Sequence, residues 1–504
     1  MQKKITIITI LLLVFCGVAL PEHIEPEAAE IAAYNWTEIL RTEFGEEVTI
    51  APGSCRVITK NGNDTAFVFD FTKKGFVVIS GEDVLPTVKF YTTSFDFGEH
   101  NRALRFQDKL LNELESAIIE VRERKLEKDE DFGRENREFF RYLRGYHKSI
   151  QGRSAAKKEE VELLIRTRWG QTGAENLKCP VIDGYRAPSG CVANAIAQIM
   201  RYHEWPIRGR GSHSYNLYGY DINLSANFDH VYDWDNLLDF YQHENVGTQA
   251  EREAISTLMY DVGIAIEMYY TPYWSSADPK NAVDALPRYF KYSPDIQYVN
   301  RYFYSSTADE WFGVAKEQID QGLPIAFTIY GDEGGHEVLI DGYRIYNQSK
   351  TVHINFGWRG MDDGYYAMES IPDFGRYEYQ RFLLNIKPPH YRHIKAPSNI
   401  SAIVYENRSL LMTEFHIQIT WDATPTGEEN IEKYILYRKE RKLRTNKTAH
   451  YEKVGEVAAG GERVFRFVTP HFDQWEYDYT VIAADAKGNK SKNPRWIKVE
   501  QSSF

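Results

Sequence analysis

Hydrophobic and polar residues follow different periods along this chain, and the changes of period mark its segments. Lys3 and Lys4 precede an apolar run from Ile5 to about Val14, followed by the small residues Gly17 and Ala19. A basic start, a short apolar stretch and small residues predict a signal peptide over 1–19, the run being too short for a comfortable membrane span. Between 22 and 100 a helical stretch is accompanied by the runs Thr65-Ala66-Phe67-Val68-Phe69-Asp70-Phe71 and Gly75-Phe76-Val77-Val78-Ile79-Ser80. Alternation and β-branched residues there predict a small sheet. From 103 to 149 the chain is highly charged, with Leu110, Leu111, Leu114, Ile118 and Val121 at helical spacing, which predicts a helix with a solvated charged face.

The stretch Gln151-Gly152-Arg153-Ser154-Ala155-Ala156-Lys157-Lys158 is small, polar and basic, which predicts an exposed linker open to processing. The following block, to about 388, is rich in Trp, Tyr and Gly and mixes helix and strand signals. A last block begins near Pro397-Ser398-Asn399. It alternates over 415–421 and 434–438 and carries a further strand pattern over 477–484, which predicts a β-sandwich over 395–504.

Composition changes this picture little. With 504 residues, 43% hydrophobic and 14% aromatic, the chain can bury several cores. Its net charge of −12 argues against a broadly basic nucleic-acid surface. The cysteines matter more. Four are too few to staple an exported chain of this size, and loss of Cys16 with the signal leaves Cys55, Cys179 and Cys191, an odd number. Leu13-Val14-Phe15-Cys16-Gly17 also admits a lipoprotein reading in which Cys16 carries the lipid, although the bulk of Phe15 favours free secretion.

Gly190-Cys191 opens the helical run Val192-Ala193-Asn194-Ala195-Ile196-Ala197-Gln198-Ile199-Met200. Cys191 therefore sits at a helix N-terminus, where unsatisfied N–H groups and the macrodipole favour the attacking thiolate. Taken alone, the segment leans toward a small, inert, buried cysteine at the start of a core helix. A nucleophile needs a base. His336 stands in Gly334-Gly335-His336-Glu337-Val338-Leu339-Ile340, where glycines lead into an apolar strand, and a second strand, Val352-His353-Ile354-Asn355-Phe356-Gly357-Trp358, could orient and shield it. His213 and His353 remain rivals, whereas His203 lies more than three turns along the Cys191 helix and cannot reach the thiol. Gln171, in Trp169-Gly170-Gln171, could give an amide N–H to an oxyanion beside the Cys191 N–H.

Together these segments resemble the streptopain family of bacterial cysteine peptidases. The ordered matches are Trp169-Gly170-Gln171, Asn176 with Cys179-Pro180, Gly190-Cys191 through His203 with Trp205-Pro206, Tyr232 to Leu237, Leu258 to Ile264, Gly334-Gly335-His336, and His353 to Trp358. They cover about 160–388, with a weaker match over 30–100 through Gly75 to Asp83. The resemblance implies an α+β fold: a papain-like cysteine peptidase domain over 154–388, preceded by an α+β inhibitory propeptide over 20–153. The all-β sandwich that follows resembles a fibronectin type III domain. It also implies a cysteine endopeptidase with Cys191 as nucleophile and His336 as general base, and no cofactor or metal. Gln171, Asn355 and Trp358 are the oxyanion and orienting candidates, and Ser275, Ser276 and Gly335 border the substrate cleft.

Phe356 and Arg359 stand where the family commonly has Trp and Gly, so Asn355, Trp358 or packing alone could orient His336. Glu337 follows the histidine where the family usually has a small residue, and a carboxylate there is expected to raise the imidazole pKa. The expected partners are protein or peptide substrates, an activating protease or self-cleavage in the linker, and a cell-surface or matrix partner for the sandwich. Nucleic acid is not expected. The expected location is outside a bacterium, free or at the outer cell surface. The competing reading is an inactive peptidase-like scaffold that acts as an adhesin. A zinc enzyme is disfavoured because no histidine pair has the helical spacing with an intervening glutamate. The triplet Asn446-Lys447-Thr448 is expected by chance in a chain this long.

Overall fold

A computed structural model describes residues 23–96, 133–145, 157–408, 413–440, 452–492 and 497–501, apart from 61–62, 84, 162, 305–306, 332–333, 372–373, 375–378, 426–429, 470–476 and 499. The expected signal peptide and Cys16, the positions Leu110 to Val121, linker residues 151–156 and the Asn446 triplet lie outside the described residues.

The first unit is a helix, α1 (Pro26–Phe44), laid on four strands, β1 (Arg56–Lys60), β2 (Asn63–Asp70), β3 (Phe76–Ser80) and β4 (Val88–Thr92), with a second helix, α2 (Arg134–Gly145), against α1. α1 starts with proline at its first turn, ends on Gly45 at φ 70, and buries Ala29, Ala32, Ala33, Trp36, Ile39 and Leu40 along one stripe. The strands are covered on both faces. Ala66, Val68, Phe76, Val78 and Phe90 enter one core, while Phe67, Phe69, Val77, Ile79 and Tyr91 enter another with α1 and α2. A sheet buried on both sides has no polar face to write into the sequence, which is why Phe76 to Ile79 reads as an unbroken apolar run.

The second unit continues the same sheet. Its strands are β5 (Lys158–Val161), β6 (Gln297–Asn300), β7 (Ile325–Gly331), β8 (Gly334–Tyr346), β9 (Ser349–Asn355), β10 (Gly364–Tyr366) and β11 (Arg381–Leu384). The strand order is β1-β2-β3-β4-β10-β9-β8-β7-β11-β6, and β5 also pairs with β8. The units join where Tyr91 pairs with Tyr365 and Phe90 with Tyr366. Aromatic stacking reinforces the join, with Phe90 on Tyr366 at 4.1 Å and Tyr91 on Tyr365 at 5.2 Å between ring centroids. Beside it Arg344, 8% exposed, forms ion pairs with Glu46 at 2.8 Å and Glu160 at 3.2 Å. Lys158, within the expected linker, is already paired with Tyr346 as the first residue of β5.

The helices of this unit are α3 (Cys191–His203), α4 (Gln249–Ala265), α5 (Asn281–Phe290) and α6 (Ala308–Asp320). Capping boxes start α4 at Thr248 with Glu251 and α6 at Thr307 with Glu310. α3 is buried nearly all round and packs between α4 and the strands β7 and β8.

The last unit is a β-sandwich. One sheet has the order β16-β13-β12-β19 and the other β15-β14-β17-β18, using β12 (Ser401–Arg408), β13 (Thr413–Thr420), β14 (Lys433–Glu440), β15 (Glu452–Ala458), β16 (Val464–Thr469), β17 (Tyr477–Ala484), β18 (Ile497–Lys498) and β19 (Glu500–Gln501). The strand patterns expected over 415–421, 434–438 and 477–484 fall on β13, β14 and β17. Trp421, Tyr434 and Tyr479 fill the space between the sheets. Lys490 meets Glu204 at the end of α3 at 3.3 Å, and Lys492 lies over Tyr202 at 5.4 Å.

Candidate active site

Cys191 is the first residue of α3, and the glycine before it makes that start possible. Gly190 has φ 88 and ψ 146, and a Cβ there would come within 2.6 Å of the Met268 side chain and 3.3 Å of the Ser275 carbonyl. Only glycine fits such a corner without strain. The thiol is half-buried, and the N–H groups of Glu337, Val192 and Cys191 itself lower its pKa. Burial outweighs them. It pushes the thiol up to about 11, and the Glu337 carboxylate adds to the rise. The N–H groups at the helix start and the burial of the thiol thus act on it in opposite directions. Cys179, fully enclosed with its thiol pushed up to about 12 by burial, is a core residue, and all three described cysteines are free.

His336 is the third residue of β8 and pairs with Ile329 across the ladder. It is 9% exposed. Trp358 stacks on its ring at 4.6 Å and 21°, and Phe374 and Phe356 lie farther off at 6.0 and 6.3 Å. Nε2 donates to the Phe356 carbonyl at 2.9 Å, so the neutral imidazole carries its lone pair on Nδ1. Gly335 lies exposed at the strand mouth, with Tyr330 2.9 Å from where a Cβ would stand.

Of the two orienting candidates, the structure brings Trp358 to the imidazole. Asn355 does not hold it. Its amide donates to the Thr167 carbonyl at 2.9 Å and Gln198 Oε1 at 3.3 Å and accepts from the Gly357 N–H at 2.9 Å. The reason is geometric: Asn355 is the last residue of β9, and what it meets there is the Gln198 side chain of α3 and the backbone of Thr167. The backbone of the next residue takes the orienting place. The rival histidines are occupied elsewhere. His353 meets buried Asp341 at 2.6 Å, His203 meets the Ile386 carbonyl at 3.0 Å, and His213 meets Glu267 at 3.0 Å.

Gln171 is anchored by its backbone, its carbonyl accepting the Ser189 N–H at 2.8 Å, two residues before Cys191. Its side-chain amide makes no hydrogen bond among the described residues. Ser275 is 8% exposed and donates to the Pro188 carbonyl at 2.7 Å, so it supports the Cys191 turn, while Ser276 faces solvent. Tyr273 and Trp274 beside them are exposed. Glu337 is 2% exposed and its carboxyl finds no partner of good hydrogen-bond geometry. Burial pushes it up to about 8 against the pull of Thr328 and Arg381.

Two further side chains organise the site. Asn194 Nδ2 donates to the carbonyls of Gly357 at 2.9 Å, Gly170 at 3.0 Å and Trp169 at 3.4 Å, and Asn194 Oδ1 accepts from Gln198 at 3.1 Å. Gln198 Oε1 accepts from Thr167 at 2.8 Å. These buried amides, one turn apart on α3, tie the Cys191 helix to the Gln171 loop and the end of β9. Two amides within an otherwise apolar helix are the signal that could have found them. Among the described residues, no group of three or more His, Cys, Asp or Glu is placed to hold a metal ion.

The chain is similar to known cysteine peptidases. Residues 169–366 match the Peptidase C10 family. The chain is 28% identical over 325 residues to streptopain of Streptococcus pyogenes, spanning 60% of this chain and 74% of that protein. It is 27% identical over 313 residues to the thiol protease/hemagglutinin PrtT of Porphyromonas gingivalis, spanning 60% of this chain and 34% of that one. The solved prointerpain A fragment of Prevotella intermedia superposes with a TM-score of 0.51 and 26% identity, over 66% of this chain and 99% of the fragment.

Proposed function

The chain belongs to the Peptidase C10 family of streptopain-like cysteine peptidases and is a cysteine endopeptidase, and from that premise we propose that it is exported as a zymogen in which Cys191 is the nucleophile and His336 the general base. One observation carries the residue assignment. The helix that starts at Cys191 packs directly against β8, the strand that carries His336, and the backbone of Glu337, the residue next to His336, lies near enough to weigh on the thiol.

In the proposed cycle His336 Nδ1 takes the Cys191 proton as Sγ attacks the peptide carbonyl carbon. The carbonyl electrons move onto oxygen, where the Cys191 N–H and the Gln171 amide meet them. Collapse expels the amine, which takes the proton from His336, and leaves an acyl-enzyme. Water then gives a proton to His336 as it attacks the thioester, and that proton returns to sulfur as the acid product departs. The Phe356 carbonyl and the Trp358 face keep the ring in the tautomer this requires.

The zymogen reading is supported by a first unit that shares one sheet with the peptidase unit and by the solved relative being a pro-form fragment. Export rests on the N-terminal signal pattern, and among the described residues no helix is long and apolar enough to cross a membrane. In the proposed architecture 20–153 is the propeptide, 154–388 the catalytic domain and 395–504 a fibronectin type III-like module free to meet a surface partner. Replacing Cys191 with Ala should abolish both turnover of casein and labelling of the Cys191 peptide by iodoacetamide. Persistent turnover in that variant overturns the mechanism.

A further inference from the structure

Arg359 stands in a backbone conformation, φ 60, that disfavours any side chain. Its guanidinium is nevertheless built into the structure. Nε donates to the Tyr241 carbonyl at 2.7 Å, and Nη2 donates to the Thr172 carbonyl and pairs with Glu175 at 3.0 Å. The Arg359 N–H also donates to the Trp169 carbonyl at 3.2 Å. Glu175 is completely enclosed, and its other oxygen accepts the Gly170 N–H at 2.9 Å. Burial raises its pKa and the Arg359 charge resists that rise.

These bonds converge on one stretch of chain. They take the carbonyl of Trp169, the N–H of Gly170 and the carbonyl of Thr172, which are the peptide groups on either side of Gln171. The loop is also shaped to the guanidinium. A Cβ on Gly170 would lie 2.7 Å from Arg359 Cζ, and one on Gly173, at φ 79, would lie 3.1 Å from Nη2. Gln171 is thus fixed through its backbone, while its side-chain amide keeps both donors for another acceptor.

We propose that the Arg359–Glu175 pair is a positioning device for the oxyanion donor, setting the Gln171 backbone so that its amide meets the developing charge. This rests on the reading of Gln171 as oxyanion donor. Charge stabilisation of this kind depends steeply on placement, so loosening the loop is expected to lower the chemical step more than substrate binding.

The test uses full-length chain allowed to mature, assayed on a fluorogenic peptide as wild type, Arg359→Gly, Gln171→Ala and the double variant. Glycine suits φ 60, so Arg359→Gly keeps the turn, and Glu175→Gln, which keeps an acceptor for Gly170, serves as a second route to the same loss. Either single change should lower kcat on the order of tenfold while KM stays within about twofold. The rate of Cys191 alkylation by iodoacetamide should not change, because alkylation develops no oxyanion. Adding Arg359→Gly to Gln171→Ala should cost nothing further. Wild-type kcat in both single variants overturns the proposal. So does an equal loss in the Gln171→Ala background, or alkylation that falls in parallel with kcat. Full kcat in Gln171→Ala alone instead overturns the oxyanion assignment beneath it, and the positioning role with it.

Discussion

Glu337 stands one residue beyond the candidate base and presents its N–H to the candidate nucleophile, yet its own carboxyl is enclosed and poorly partnered. Its folded-state pKa, about 8, lies above the ordinary 4.5, so the folded protein keeps a proton that the unfolded chain releases. The stability this gives is complete below pH 4.5 and is lost as pH rises through about 8. Glu337→Gln should remove that slope. Between about pH 5 and pH 9, urea unfolding of the wild type should lose on the order of 2–4 kcal/mol relative to the variant. Parallel curves would mean the carboxyl is solvated or paired. The Gln variant should also alkylate faster at Cys191 above pH 8, because the negative charge that opposes the thiolate is gone. At this scale the sequence offers the candidate side chains but not what supports them. Cys191, His336 and Trp358 are legible because glycine corners and strand starts constrain where those side chains go. Asn355 stays one candidate among several in the sequence because nothing local distinguishes an amide bonded to an imidazole from one bonded to Thr167 and Gln198. The carbonyl that holds His336 belongs to the backbone, which every residue has, and so leaves no mark in the sequence.

At the scale of elements, α3 is the hub. It holds Cys191 at its start, Asn194 and Gln198 inward from it, and Tyr202 and Glu204 against the sandwich at its end. Asn194 satisfies three buried carbonyls at once. Asn194→Ala should therefore destabilise the protein by about 2–4 kcal/mol, measured by urea unfolding, since the Gly170 and Gly357 carbonyls lose this donor without gaining water, while that of Trp169 keeps the Arg359 N–H. A change under about 0.5 kcal/mol would show that the loops readjust to find other donors. The helix itself is plain in the sequence, as are the sandwich strands, of which β13 alternates between a buried and a wetter face while β17 is buried on both. The joining of β4 to β10 is not. It consists of two residue pairs far apart along the chain, and cross-strand partners of that kind have no local period to reveal them.

Considered whole, the molecule places the proposed propeptide and the peptidase unit in one eleven-stranded sheet. If the zymogen reading holds, uncut protein should digest casein at a small fraction of the mature rate, and cleavage near Arg153 to Lys158 should raise it. Full activity from uncut chain refutes this. On that reading processing also has a consequence for shape. When β4 leaves, β10 changes from an interior strand into a margin, with unpaired peptide groups beside two tyrosine faces that had been stacked. Such a margin is a template for any extended chain of matching width. The departing propeptide is the best-fitting competitor for it, so maturation would be slowed by its own product until that fragment is degraded. A mature molecule cleared of the fragment would carry the scar of its activation as a place where another strand can dock.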